Sequence, residues 1–376
     1  MDAPFPFGLP TPTAFYLGLY VFTLAIHVVF MNYVLAGTAV LAINGLSGPA
    51  LRERLDASVH VLKEWLPVML SGAITAGIAP LLFLQILYKQ GYYTANLLLF
   101  NRWMSILPIL IIGFYSLYLV KSEWLRRRGA WPIAAMSVVP FLCVAFTGYS
   151  WTENHLLSVR TPEEWTEFYV TSRQWYYESQ LIPRLLVWAF GAVPTMSLVL
   201  GWQLWYRQQH GQASASLAAR WLARLALGGL VLVSAAAVGY YFAGSDTTRN
   251  AFTGPMALPY FLAASVGLAL QTTAWVLIAK RGTWSLPHLI IGSVGLLFTL
   301  VGMTISRESV RIATLGSDRF EALYPLHREA IGKSGFGWFL LFLGLNAALM
   351  VFCFWIVRTQ RKPETEPLPV AVSSSE

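Results

Sequence analysis

Residues 13–45 read TAFYLGLYVFTLAIHVVFMNYVLAGTAVLAING, a stretch without a single Asp, Glu, Lys or Arg. A helix rises about 1.5 Å per residue, and about 20 mostly apolar residues cross the hydrocarbon core of a bilayer. The stretch therefore predicts a membrane-spanning helix with length to spare. Eight more of the same kind follow at 61–88, 103–120, 131–151, 181–206, 222–243, 256–279, 285–306 and 335–357. Composition agrees: of 376 residues, 56% are hydrophobic and 12% charged, with mean hydropathy +0.56. An average soluble domain carries roughly 25% charged residues. The expected fold is all-α, a polytopic membrane helical bundle of about nine transmembrane helices whose main partner is the lipid bilayer.

Charge orients the bundle. Assigning connections to alternate sides places fifteen basic groups and seven acids on one side, and eleven of each on the other, so the formal charge of +8 belongs to one face. The positive-inside bias then puts the N-terminus outside and the C-terminus inside. The cations are spread over five short connections rather than one patch, which argues against nucleic-acid binding. Residues 1–12 lack a basic n-region and a small-residue cleavage site, and read as an outer N-terminal segment of the mature protein. The transmembrane domain is expected over 13–357, with longer outer connections at 152–180 and 307–334. The tail 358–376, rich in Pro, Glu and Ser, reads as a disordered cytoplasmic end.

The first long connection mixes Trp165, Tyr169, Trp175, Tyr176 and Tyr177 with Glu163, Glu164 and Glu167, the composition of an amphipathic segment at headgroup level. The two cysteines, Cys143 and Cys353, form no Cys-x-x-Cys. Disulfide frameworks, zinc sites and covalent c-type haem are therefore not supported. Phosphate-binding glycine loops are missing. No Asp or Glu falls in the middle of an apolar stretch, although proton-coupled transporters usually place one there.

One histidine stands deep in a span. His27 lies on a stripe with Tyr16, Tyr20, Thr23 and Met31 at three- and four-residue steps, one face of a helix. Neutral imidazole is an axial ligand for haem iron, or else a structural bridge between helices. His60, His155, His210, His288 and His327 read as peripheral and solvated, His155 and His327 lying in the outer connections. Met303, Arg307 and Arg311 share a helix face at the end of the eighth span. Guanidinium groups there suit haem propionates or a quinone oxygen, or else pairing with Glu308.

His27-Val28-Val29-Phe30 leading to Gly37, then Gly72, Thr75 and Gly77 in the second span, then Gly91-Tyr92-Tyr93, resemble subunit I of the cytochrome bd-type quinol oxidases. The resemblance implies nine helices arranged as two four-helix bundles plus one, with the N-terminus outside and haem near the outer face. Val34-Leu35-Ala36-Gly37 and Leu198-Val199-Leu200-Gly201 echo one another in keeping with that arrangement. Of the family's ligands only His27 carries over. Residues 105–118 contain no acid, the fifth span begins Pro183-Arg184-Leu185-Leu186-Val187-Trp188 without histidine, and the quinol loop shrinks to 244–255. What the resemblance implies is a membrane subunit of a respiratory electron-transport complex in the bacterial inner membrane. It would hold at most one haem b on His27, with Met303, Arg307 and Arg311 as further cofactor contacts. Quinol, other membrane subunits and an outer-face cytochrome would be its partners. The alternatives are a structural subunit, or a transporter or channel without cofactor whose helices break at Pro67, Pro80, Pro183, Pro194, Pro255 and Pro259.

Overall fold

The computed structural model describes residues 3–211, 214–333 and 336–360. Among the described residues every regular element is a helix. In chain order they are α1 (Thr11–Leu46), α2 (Pro49–Leu87), α3 (Lys89–Leu98), α4 (Phe100–Lys121), α5 (Glu123–Arg126), α6 (Ala130–Leu157), α7 (Pro162–Val170) and α8 (Leu181–Gln209). There follow α9 (Ser214–Ala243), α10 (Asp246–Thr253), α11 (Leu258–Arg281), α12 (Leu286–Leu315), α13 (Ser317–Glu321), α14 (Tyr324–Lys333) and α15 (Phe336–Gln360). Eight are long and apolar enough to cross a membrane: α1, α2, α4, α6, α8, α9, α11 and α12. The chain is a multi-pass membrane protein. The ninth expected span is the helix α15, whose apolar part is described over Gly337–Leu349. Residues 328–376 form a unit of their own. The tail expected to be disordered lies, from residue 361, outside the described residues, as does the side chain of Cys353.

Within residues 1–327 the spans make two rings of four. In the first, α1 packs on α2 and α6, and α4 closes the ring between α2 and α6. In the second, α8 packs on α9 and α12, and α11 closes the ring between α9 and α12. The rings meet along α1, which lies against α8 and α12. No span has more than 44% of its most apolar window buried inside the protein. Leu, Ile, Val and Phe cover the outside, as a lipid solvent requires.

Proline starts several helices at the first turn, where the missing N–H costs nothing: Pro12, Pro49, Pro259 and Pro287. The interior prolines do not break them. Pro67 and Pro80 lie within α2 and Pro194 within α8, both continuous; Pro183 stands in the first turn of α8, and Pro255 precedes α11. Neighbouring helices and local adjustments accommodate the lost hydrogen bond in a membrane bundle. The discontinuous helices of the transporter alternative are therefore not what the prolines make.

Small residues let backbones touch where α11 crosses α12. A Cβ added to Gly267 would stand 2.5 Å from the carbonyl oxygen of Gly295, and one on Gly295 would stand 2.7 Å from that of Gly267. Such approach supplies the van der Waals contact that replaces hydrophobic drive in lipid. Gly295→Ile is expected to destabilise the bundle by more than the roughly 1–3 kcal/mol of ordinary overpacking, because backbone rather than a side chain must yield. Thermal unfolding in detergent, with Gly228→Ile as the control at a position open to 4 Å, should show a lower Tm for the first variant only.

Candidate functional site

His27 lies about midway along α1 and is half-buried. Its Nδ1 is 2.9 Å from the carbonyl oxygen of Ala73 on α2. A carbonyl only accepts, so Nδ1 carries the proton and Nε2 keeps the lone pair. Gly77 makes the approach possible: a Cβ there would stand 2.9 Å from Cε1 of the imidazole. Five residues on, the opposite side of α1 meets the second ring. Buried Asn32 accepts from Nε1 of Trp188 at 3.1 Å and donates to the Thr195 hydroxyl at 3.2 Å, both on α8. The Tyr33 hydroxyl donates to Gln203 at 2.9 Å.

The second centre is built on the last turns of α12. The helix continues past residue 306 to Leu315, so Arg307–Arg311 is packed helix rather than the start of a connection, and α6 likewise runs past 151 to Leu157. Arg307 Nη2 donates to the Tyr20 hydroxyl at 2.8 Å and to Glu308 Oε1 at 3.0 Å, and the Tyr88 hydroxyl donates to Glu308 Oε2 at 2.9 Å. Glu308 is buried. Tyr20 therefore carries the α1 stripe into this cluster, seven residues or about 10 Å along the axis from His27. The Arg311 guanidinium lies 4.0 Å over the Tyr88 ring and donates from Nη2 to the Ser158 hydroxyl at 3.0 Å. Its Nε and Nη1 are buried without a hydrogen-bond partner.

Beside Arg311 a cavity of about 30 Å³ opens between α6, α8, α9 and α12, lined by His155, Arg184, Tyr240, Arg307 and Arg311. Arg160 and Glu178 close its rim as an ion pair. The connection over the cavity is held by a second pair, Arg102 with Glu153, both withdrawn from solvent. Glu153 also accepts from the backbone N–H of Tyr176 at 2.5 Å, and the Arg102 guanidinium lies 3.7 Å from the Trp175 ring centroid. Helix α7 docks on α3 and the end of α6 through buried Trp165 and Phe168 and begins with a Thr161–Glu164 capping box, while Tyr169, Trp175 and Tyr177 stay exposed. Within the segment expected at headgroup level, Trp165 is thus buried against the protein, and Tyr169, Trp175 and Tyr177 are the exposed aromatics.

Among the described residues no group of three or more metal-ligating side chains occurs. His27 and the α12 residues are not joined directly by any hydrogen bond or ion pair there, and Met303 stands one turn before Arg307, half-buried. Three expectations for histidines are corrected. His327 is buried, its Nδ1 2.9 Å from the Thr13 hydroxyl and its Nε2 3.2 Å from the Leu87 carbonyl; His288 is buried as well. His155 has a buried Nε2 without partner. Sequence reading missed Arg184, which lay only in the string lacking the family histidine, and its signal was a lone cation in the first turn of an apolar helix. It also missed Asn32 and Tyr88, whose roles depend on distant partners. No family model and no curated protein matches this chain.

Removing one partner of a buried ion pair costs roughly 3–5 kcal/mol. Arg102→Leu should accordingly lower Tm and open the connection, read as faster tryptic cleavage after Arg173, which is exposed. Burial holds His327 below the ordinary histidine value of 6.5, against the pull of its hydrogen bond to Leu87. The folded state thus prefers the neutral ring, and its contribution is complete above pH 6.5 and is lost as pH falls through and below that value. A pH series of Tm for wild type and His327→Gln should show the acid-side slope reduced in the variant.

Proposed function

We propose that the chain is the membrane-spanning subunit of a bacterial respiratory or electron-transfer complex in the inner membrane, and that His27 holds one b-type haem. The observation that carries this reading is the His27 imidazole itself. Its Nδ1–H is tied to the Ala73 carbonyl on a facing helix, the outer hydrogen bond that fixes tautomer and ring orientation in metal-ligating histidines. That leaves Nε2, the nitrogen with the lone pair, without a hydrogen-bond partner among the described residues. The donor set fits a haem, which needs one or two axial ligands, and does not fit a bare metal ion, which needs several.

In this reading a bound haem supplies one-electron exchange. The chain's own residues orient and bury. Ala73 and Gly77 set the plane of the imidazole, and the spans keep water from it. Met303 and Arg307 would complete the cofactor contacts from α12, Arg307 reaching Tyr20 on the same face of α1 as His27, while Arg311, expected as a third contact, is turned to the cavity that it lines. The end of the bundle that carries α3, α7, α10 and α13 faces outward, and there a cytochrome partner or quinol would approach. A second reading, His27 as a structural bridge from α1 to α2, is favoured by the same Ala73 bond.

The two are separated by a reduced-minus-oxidised visible spectrum of the purified full-length protein, wild type beside His27→Ala. A b-type signal in wild type that disappears in the variant is expected. No signal in wild type, with a lowered Tm in His27→Ala, would leave the bridge as the role of this histidine.

A further inference from the structure

The cavity at the end of α12 holds more positive charge than its own acids neutralise. Arg160, Arg184, Arg307 and Arg311 line it. Two carboxylates answer them: Glu178 pairs with Arg160, and Glu308 pairs with Arg307. Arg184 and Arg311 are left over. The half-buried Arg184 side chain has no hydrogen-bond or ion-pair partner among the described residues. Arg311 is only 7% exposed, and spends one nitrogen on the neutral Ser158 hydroxyl while Nε and Nη1 stay unpartnered. His155 adds a third buried nitrogen without partner at the same cavity. Burying a guanidinium without an opposite charge is costly, and an unsatisfied buried donor adds to that cost. Surplus cations converging with empty donors on one cavity are the inverse image of an anion.

We infer that this cavity binds one small monovalent oxyanion, a carboxylate of the size of formate, between Arg184 and Arg311 with His155 as a further donor. Size selects the class. A volume of about 30 Å³ accommodates about two water-sized centres, which matches the two oxygens of one carboxylate group and favours a carboxylate without a bulky chain. Charge selects it too, since guanidinium groups hold planar carboxylates by charge-assisted bonds. The bound ion joins α8 to α12 and α6 across the mouth of the second ring. The site does not rest on haem at His27, whose spectrum is read separately.

The test uses the full-length protein in detergent, with gluconate as the bulk anion. Thermal unfolding is followed by tryptophan fluorescence while sodium formate replaces gluconate at constant ionic strength. A saturable rise in Tm is expected for wild type, because a ligand of the folded state stabilises it by mass action. Arg184→Gln should start from a higher Tm in gluconate, having lost an uncompensated cation, and should not respond to formate. A merely structural arginine would do the opposite, starting lower and responding like wild type. Equilibrium dialysis with isotope-labelled formate should find one site per wild-type chain, which keeps the test decisive if the variant does not fold. An equal rise with any added salt, an unaltered response in Arg184→Gln, or no bound formate in wild type overturns the inference. A response seen only in His27→Ala also overturns it, since the cavity is then filled in wild type by a carboxylate of the bound cofactor.

Discussion

The polar contacts that α1 makes with the second ring, the Asn32 amide foremost with Tyr33–Gln203 and Tyr20–Arg307 beside it, hold the arrangement of the two rings. In lipid the outside of each ring is as apolar as its surroundings, so nothing hydrophobic draws one against the other. What distinguishes the docked arrangement is that a buried polar side chain is satisfied by it. Asn32 meets Trp188 with its oxygen and Thr195 with its nitrogen, and both partners lie on α8. Left alone in hydrocarbon, the amide would cost several times what one hydrogen bond contributes net. Because His27 lies five residues away on the helix, turned toward α2, α1 serves the first ring with one face and binds the second with another.

The end of the bundle built from α3, α7, α10 and α13 has a different character. Charges there enter the interior in couples, Arg102 with Glu153, Arg160 with Glu178 and Arg307 with Glu308. Arg102 with Glu153 joins α4 to α6, Arg160 with Glu178 ties together the two ends of one connection, and on α12 Glu308 is buried beneath Arg307 and Tyr88. The pairing makes the connections part of the packed body. Arg184 and Arg311 stand outside this matching, and they stand at one cavity.

Eight of the nine expected spans, and their order, are legible in the sequence because length and hydropathy suffice for a helix that must satisfy its backbone internally. Residues 13–45 and 285–306 each seeded a helix where expected. The ends were less legible, and for one reason. The apolar runs end near Glu153, Arg307 and Glu308, so the predicted fourth and eighth spans stop at 151 and 306, whereas α6 and α12 continue to Leu157 and Leu315. These charges stay within packed helix because they are paired, and the partners Arg102, Tyr20 and Tyr88 come from remote segments. His327 was hidden similarly: its environment is made by Thr13 and Leu87, 314 and 240 positions away. His27, by contrast, announced itself as a lone imidazole in an apolar run, although its Ala73 acceptor is a backbone atom that no side-chain pattern reveals.

The glycine contact between α11 and α12 has a mechanical consequence. Where carbonyl oxygens sit in the notch of a facing glycine, sliding of one helix past the other would drive backbone into backbone, so no low-energy shear is available to that pair. The Asn32 seam is different, being held by a few directional bonds between side chains. Any rearrangement of this bundle therefore treats α11 and α12 as a single rigid strut and concentrates its hinge along α1.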